Sequence, residues 1–148
     1  MRQLQKYAVT IGGGKNHRKN LSDGILVKDN HLNILAKSGN DFKSIISKAL
    51  QNSPSNLKVE VEVSNIDEVE MALDAGAHII MLDNMSLQKI KEAVQLIDGR
   101  VRIEVSGTVS LANIADLSKI GIDCVSVGAL THSSKAADIS MNFINISN

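Results

Sequence analysis

Apolar positions in this chain fall into two alternating rhythms. Val59, Val61 and Val63 recur every second residue, as in a strand, and Ile66, Val69, Ala72 and Leu73 recur at helical spacing. The same exchange continues to the end of the regular pattern. It predicts strands at 58–63, 78–82, 101–105 and 123–127, and helices from Asn65 to Ala75, Ser86 to Ile97 and Ser110 to Lys119, closed by Gly76, Asp98-Gly99 and Gly121. Upstream, Leu4, Tyr7 and Ala8 mark a short amphipathic helix ended by Gly12-Gly13-Gly14, and Ile25-Leu26-Val27 reads as a buried strand. Asp29 or Asn30 is placed to cap a helix through Leu32, Ile34 and Leu35 that stops near Gly39, and Asp41 to cap one carrying Phe42, Ile45, Ile46, Ala49 and Leu50. Pro54 sits in a polar linker, and the tail after Gly128 is less regular. Five strands alternating with helices predict βαβ units and a parallel sheet. Val59, Val61, Val63, Ile79, Met81, Val101, Ile103, Val125 and Val127 are the predicted core.

Polar residues interrupt these strands at particular places. Lys28 ends the first, Glu60 and Glu62 share one face of the second, and Asp83-Asn84 ends the third. Arg102, Glu104 and Ser106 share a face of the fourth, and Gly128 follows the fifth. Ligand groups gather at the C-terminal strand ends of parallel α/β sheets and barrels, so one convergent site is the economical reading. A parallel strand is covered on both faces, so Glu60 and Glu62 need a cation, a metal or water. Asp83 reads equally as a metal ligand or as a cap for the next helix. Ser106-Gly107 and Gly128-Ala129 offer backbone amides to phosphate. Read in isolation, His17-Arg18 beside the glycines is an exposed mobile loop, and His78, which opens a strand, is structural. Gly14-Lys15-Asn16 does not make a Walker-type phosphate loop, the histidines show no metal-binding helical spacing, and Ser106 lacks the first glycine of a nucleophile elbow.

Composition narrows the classes. The chain has 148 residues, enough for one domain over 1–148, and 16 basic against 16 acidic residues, so no overall field draws it to nucleic acid. Tyr7, Phe42 and Phe143 are the only aromatics besides histidine, too few for base stacking. The single cysteine, Cys124, fits a reducing, cytoplasmic compartment, the first residues of the sequence hold no apolar core of signal-peptide length, and no apolar run approaches a membrane span. Cations, carboxylates and two anion pockets without a nucleophile fit Mg²⁺ and a multiply phosphorylated substrate, with catalysis by stabilising developing charge.

The segments GGGKNHRKNLSDGILVKDNH, VEVEV, MLDNM, EVSG and GIDCVSVGALTHS, in this order and spacing, closely resemble quinolinate phosphoribosyltransferase from about Leu4 to Asn142. The resemblance implies an α/β fold, an incomplete parallel α/β barrel of the TIM type with about five strands. It implies that quinolinate and phosphoribosyl pyrophosphate give nicotinate mononucleotide, pyrophosphate and CO2 with Mg²⁺, in NAD biosynthesis. By the motif match His17, Arg18 and Lys28 hold the quinolinate carboxylates, while Glu62 and Asp83 act at the ribose and metal, so that Lys28, Glu62 and Asp83 are the expected catalytic residues. Ser106, Gly107, Gly128 and His132 fall where the family grips phosphate, and Glu104 matches a further acidic position. Family members are longer, with an N-terminal domain and a first barrel strand that supply further cations. The resemblance therefore implies a homodimer or a partner contributing that half. Thr108 stands where EVSG continues with a second glycine. Two alternatives stay open, a non-catalytic remnant and a molybdenum-associated relative with another substrate.

Overall fold

The computed structural model describes residues 1–37, 39, 41–107 and 109–143, and Thr108 lies outside them. Its elements run α1 (Arg2–Ile11), β1 (Ile25–Val27), α2 (Asp29–Ala36), α3 (Phe42–Asn52), β2 (Val59–Val63), α4 (Ile66–Ala75), β3 (Ile79–Asp83), α5 (Leu87–Ile97), β4 (Arg102–Ser106), α6 (Ile114–Leu117), β5 (Cys124–Val125) and α7 (Ala129–His132). The five strands form one parallel sheet in the order β1-β2-β3-β4-β5, so every crossover joins neighbours. The sheet does not close: it is an arc of an α/β barrel with β1 and β5 at its edges, as expected.

Local chemistry starts and stops the helices. Asp41 Oδ1 accepts from Ser44 N at 2.8 Å to cap α3, and Asn65 Oδ1 accepts from Glu68 N at 3.0 Å to cap α4. Glu68 returns the favour by accepting from Ser64 N at 2.7 Å. α4 ends on Gly76, whose φ of +86° is the left-handed turn that a residue with a Cβ resists. At the β1–α2 junction the capping position belongs to Lys28 rather than to Asp29 or Asn30. The Lys28 carbonyl accepts from His31 N (2.9 Å) and Leu32 N (3.1 Å), and Lys28 N donates to His31 Nδ1 (3.1 Å).

Strand alternation separates the two faces of the sheet. Val59, Val61, Val63, Ile80, Leu82, Ile103 and Val105 point to the helices, meeting Ile45 and Ile46 of α3, Val69 and Ala72 of α4, and Ile90, Ala93 and Ile97 of α5 in one core. The register aligns Leu26, Glu60, Ile79 and Arg102 in one row of the opposite face, and Glu62, Met81, Glu104 and Cys124 in the next.

Three further expectations change. The helix predicted over 110–119 shrinks to Ile114–Leu117, because Asn113 Oδ1 accepts from Ser110 N at 2.8 Å and closes a turn that competes with helix. β5 spans two residues instead of five. Asp123 N and Ser126 N still donate to Ile103 O and Val105 O, but an edge strand is held from one side only. Ile79, Val101, Val125 and Val127 are half-buried: Ile79 lies on the polar face, Val101 at the rim, and the two valines on that edge. α1 forms as predicted yet buries nothing, leaving Leu4, Tyr7 and Ile11 exposed. Among the described residues no helix is long and apolar enough to cross a membrane.

Candidate active site

The polar face is where the buried charge lies. Glu60, Glu62 and Glu104 are 6–8% exposed, although an ionised carboxylate removed from water is costly unless it is paired. Glu62 Oε2 is bound by Lys28 Nζ at 2.9 Å. Glu60 Oε2 is bound by His17 Nε2 at 2.9 Å. Glu104 accepts from the Ser126 hydroxyl through Oε1 and from the Cys124 thiol through Oε2.

His17-Arg18 is therefore not the free loop that an isolated reading suggests. α1 holds it: Lys6 Nζ donates to Arg18 O at 3.0 Å, the Arg2 guanidinium to Lys19 O, and Asn16 Nδ2 to Lys6 O at 2.9 Å. Asp23 Oδ2 closes the far end by accepting from Lys19 N and Asn20 N. Arg18 is half-buried, its Nη1 directed to Gly24 O at 3.4 Å. α1 is thus exposed because it serves the loop rather than the core.

The remaining expected residues stand on the C-terminal rim. The register sets Asp83 beside Ser106. Asp83 does not cap α5, because Ser86 does so by accepting from Lys89 N; the Asp83 carboxylate instead accepts from Asn84 Nδ2 at 2.8 Å. Gly107, at φ +88°, lies against Asn84 so closely that a Cβ would fall 2.1 Å from its Oδ1. Gly128 precedes α7, and a Cβ there would come within 2.9 Å of His132 Nε2, so the ring folds back over the turn. His132 Nδ1 meets Ser133 Oγ at 2.7 Å. His78 is structural, its Nδ1 accepting from Val59 N at 3.0 Å. Two grooves lie away from this rim, about 340 Å³ between α5 and α6 and about 570 Å³ at the N-terminal strand ends, the latter lined by Lys58, Arg100 and Asp123.

The expected metal pair, Glu62 and Asp83, is not part of the three-residue ligand cluster that the fold gathers. Among the described residues, His17, Glu60 and Glu104 bring one ligand atom each within 4.8 Å of one another. The V-E-V-E-V alternation marked Glu60 together with Glu62 as a carboxylate in need of a cation, a metal or water, but the motif match assigned a role to Glu62 alone. It also did not assign roles to Ser126, Cys124, Asn84 and His31, which lie within the quoted motifs and hold the others in place.

Burial pushes the Glu60 carboxyl above its ordinary value of 4.5; the His17 hydrogen bond opposes this and the Glu104 charge adds to it. Burial, reinforced by Glu104, raises the Cys124 thiol to about 11, so it is no thiolate nucleophile. The sign for Glu60 follows. A carboxyl whose folded pKa lies above its unfolded value adds stability at low pH, and that contribution is lost as pH rises through the folded value. Glu60→Gln is expected to flatten the stability profile above pH 4.5, the ordinary value of the carboxyl, and to be the more stable protein at pH 8. Urea unfolding across that range measures it, and a variant less stable than the parent at pH 8 contradicts it.

Parallel strands in sequential order, helices on one face and ionisable groups on the other, with glycine-bearing turns at the C-terminal rim, define an α/β-barrel domain of the kind that enzymes share. The comparisons with known proteins narrow the class. Residues 1–142 match the model of the C-terminal domain of quinolinate phosphoribosyl transferase, and the chain belongs to that family. It is 45% identical to the probable carboxylating nicotinate-nucleotide pyrophosphorylase of Methanocaldococcus jannaschii, across 95% of this chain and 50% of that protein. The Bacillus subtilis protein of the same description is 37% identical, across 100% and 50%. The crystal structure of NadC from Streptococcus pyogenes superimposes with a TM-score of 0.84 at 46% identity, covering 96% of this chain and 48% of that one. The chain spans about half the length of the relatives it matches.

Proposed function

We propose that this domain carries the catalytic face for quinolinate phosphoribosyl transfer, in which quinolinate and phosphoribosyl pyrophosphate give nicotinate mononucleotide, pyrophosphate and CO2. The observation that carries the reading is the row of paired charges on the polar face, Lys28 with Glu62 and His17 with Glu60, set in a chain of this family.

The chemistry matches these groups. Quinolinate is a dianion, and at one edge of the sheet Lys28 and Arg18 supply cationic side chains and His17 a hydrogen-bonding imidazole. Lys28 is half-exposed while its partner is buried, so the ammonium can meet a ligand without leaving Glu62. As pyrophosphate leaves, positive charge grows on the ribose, and Glu62 is the buried carboxylate beside the cation that orients the ring. The ring nitrogen forms the bond to C1 of the ribose. The carboxylate at ring position 2 then leaves as CO2, its electron pair held beside the pyridinium until a proton replaces it. Electrostatic complementarity of this kind lowers a barrier without a covalent intermediate.

Mg²⁺ is usually held by one or two carboxylates together with substrate phosphates. Asp83 fits that role, because its Oδ1 takes no hydrogen bond from the described residues and it stands beside the Ser106-Gly107 turn. Glu62 fits less well, its Oε2 being occupied by Lys28. When bound, Mg²⁺ would neutralise the departing pyrophosphate. The backbone amides of the Ser106-Gly107 and Gly128-Ala129 turns would hold phosphate, with His132 beside Gly128. A dimer belongs to the same proposal, supported by the two open sheet edges and by the exposed Leu4, Tyr7 and Ile11, as does a cytoplasmic location, supported by the single free cysteine.

Calorimetric titration with quinolinate, then with phosphoribosyl pyrophosphate and Mg²⁺, tests the reading. Lys28→Met is expected to weaken quinolinate by more than about tenfold, the scale of one lost charge-assisted contact, while leaving the phosphoribosyl donor within twofold of the parent, about the least difference such a titration resolves. Binding of neither ligand to the parent chain, or equal loss of both in the variant, would count against it.

A further inference from the structure

We propose that His17, Glu60 and Glu104 form a binding site for a divalent transition-metal ion. The site goes beyond the transfer reading and does not depend on it.

The three groups come from separate elements: His17 from the loop held by α1, Glu60 from β2 and Glu104 from β4. Their ligand atoms lie within 4.8 Å of one another, a spread that small side-chain movements bring to the roughly 2.0–2.2 Å bonds of a first-row ion. Both carboxylates are more than nine-tenths buried. Glu60 Oε1 is buried without any hydrogen-bond partner, and it alone among the described residues has that status.

The charge balance on this face points the same way. Lys28 answers Glu62 at 2.9 Å, and of the other two buried carboxylates Glu60 meets only the His17 imidazole, while Arg102, on the same face, is exposed and forms no ion pair with either among the described residues. A divalent cation restores neutrality and gives the orphaned oxygen a partner. The surroundings of Glu104 are those of a supported ligand: Ser126 and Cys124 donate to its oxygens from β5 and the residue after it, fixing its orientation. One nitrogen and two carboxylate oxygens select Zn²⁺, Mn²⁺ or Fe²⁺ over Mg²⁺, which prefers oxygen alone. Three protein ligands leave a coordination position open, and His17, 41% exposed in its side chain, gives the ion a way in.

The probe is Zn²⁺ alone, titrated calorimetrically into the purified chain, with Co²⁺ as a spectroscopic reporter. The expected result is saturable binding of one ion per chain. His17→Ala and Glu60→Gln should each weaken it by more than about tenfold, and Asp67→Asn, an exposed carboxylate on α4, should leave it unchanged. The Co²⁺ form should show visible d–d bands and no thiolate charge-transfer band, since Cys124 stands behind Glu104. His17 lies in an exposed loop and Glu60→Gln is isosteric, so both variants should fold. No saturable binding, or binding that survives both substitutions, overturns the proposal and leaves the surplus charge to a proton shared between the two carboxylates. If the transfer reading also holds, Zn²⁺ should weaken quinolinate binding by claiming His17. If only that reading fails, this competition disappears while metal binding stands.

Discussion

Leu82→Ala is expected to lower the free energy of unfolding by about 2–5 kcal/mol, enough to leave the domain partly unfolded at 37 °C given typical domain stabilities. Leu82 is completely buried in the central strand, β3, facing the core shared with α4 and α5. Its neighbours are strand valines and helix side chains fixed by the sheet register, so they cannot collapse into the space that a truncated side chain leaves. Thermal and urea unfolding measure the effect. Leu130→Ala, at a 62% exposed position on α7, is the control and should change stability by less than about 0.5 kcal/mol. Equal effects at the two positions would mean that the core is not the packed layer described above.

Gly107→Ala should damage the rim rather than the core. The φ of +88° strains any residue with a Cβ, at about 1–2 kcal/mol. The added atom would also lie 2.1 Å from Asn84 Oδ1 and 2.9 Å from Asn84 N. Rotating the Asn84 side chain relieves only the first of these contacts. The second is to backbone, itself at φ +52° and donating to Ser106 O at 3.1 Å, so the turns after β3 and β4 must move apart. Because Asn84 Nδ2 holds the Asp83 carboxylate, the substitution should impair phosphoribosyl pyrophosphate and Mg²⁺ binding by more than about tenfold, the scale of a lost supporting contact, while quinolinate binding at Lys28 changes little. Calorimetry with each ligand separates the two, and parallel loss of both would show that Gly107 acts on the whole fold.

Much of this was legible in the residues. Strand rhythm in Val59–Val63 and helical rhythm in Ile66–Ala75 were sufficient for element type, order and parallel pairing, because each obeys a period the backbone imposes locally. The cap at Asp41 could be read for the same reason: it acts within three residues. Where local competition was subtle the reading overran, as at Ser110, whose amide is taken by the Asn113 side chain. The family motifs placed His17, Lys28, Glu62 and Asp83 as site residues, yet nothing in them says which cation faces which carboxylate.

The sequence by itself determined that this chain builds parallel α/β units, that its strands carry apolar residues on one side and ionisable ones on the other, and that its motifs are those of one family. Only the tertiary structure decided that His17 answers Glu60, that Lys28 answers Glu62, that Glu104 leans on Ser126 and Cys124, and that Asp83 is held by Asn84 instead of capping a helix. The reason is physical. Periodicity and capping are energies of neighbours along the chain, whereas a buried charge is satisfied by whatever the sheet register brings opposite it, here from 43 residues away for Glu60 and 34 for Glu62.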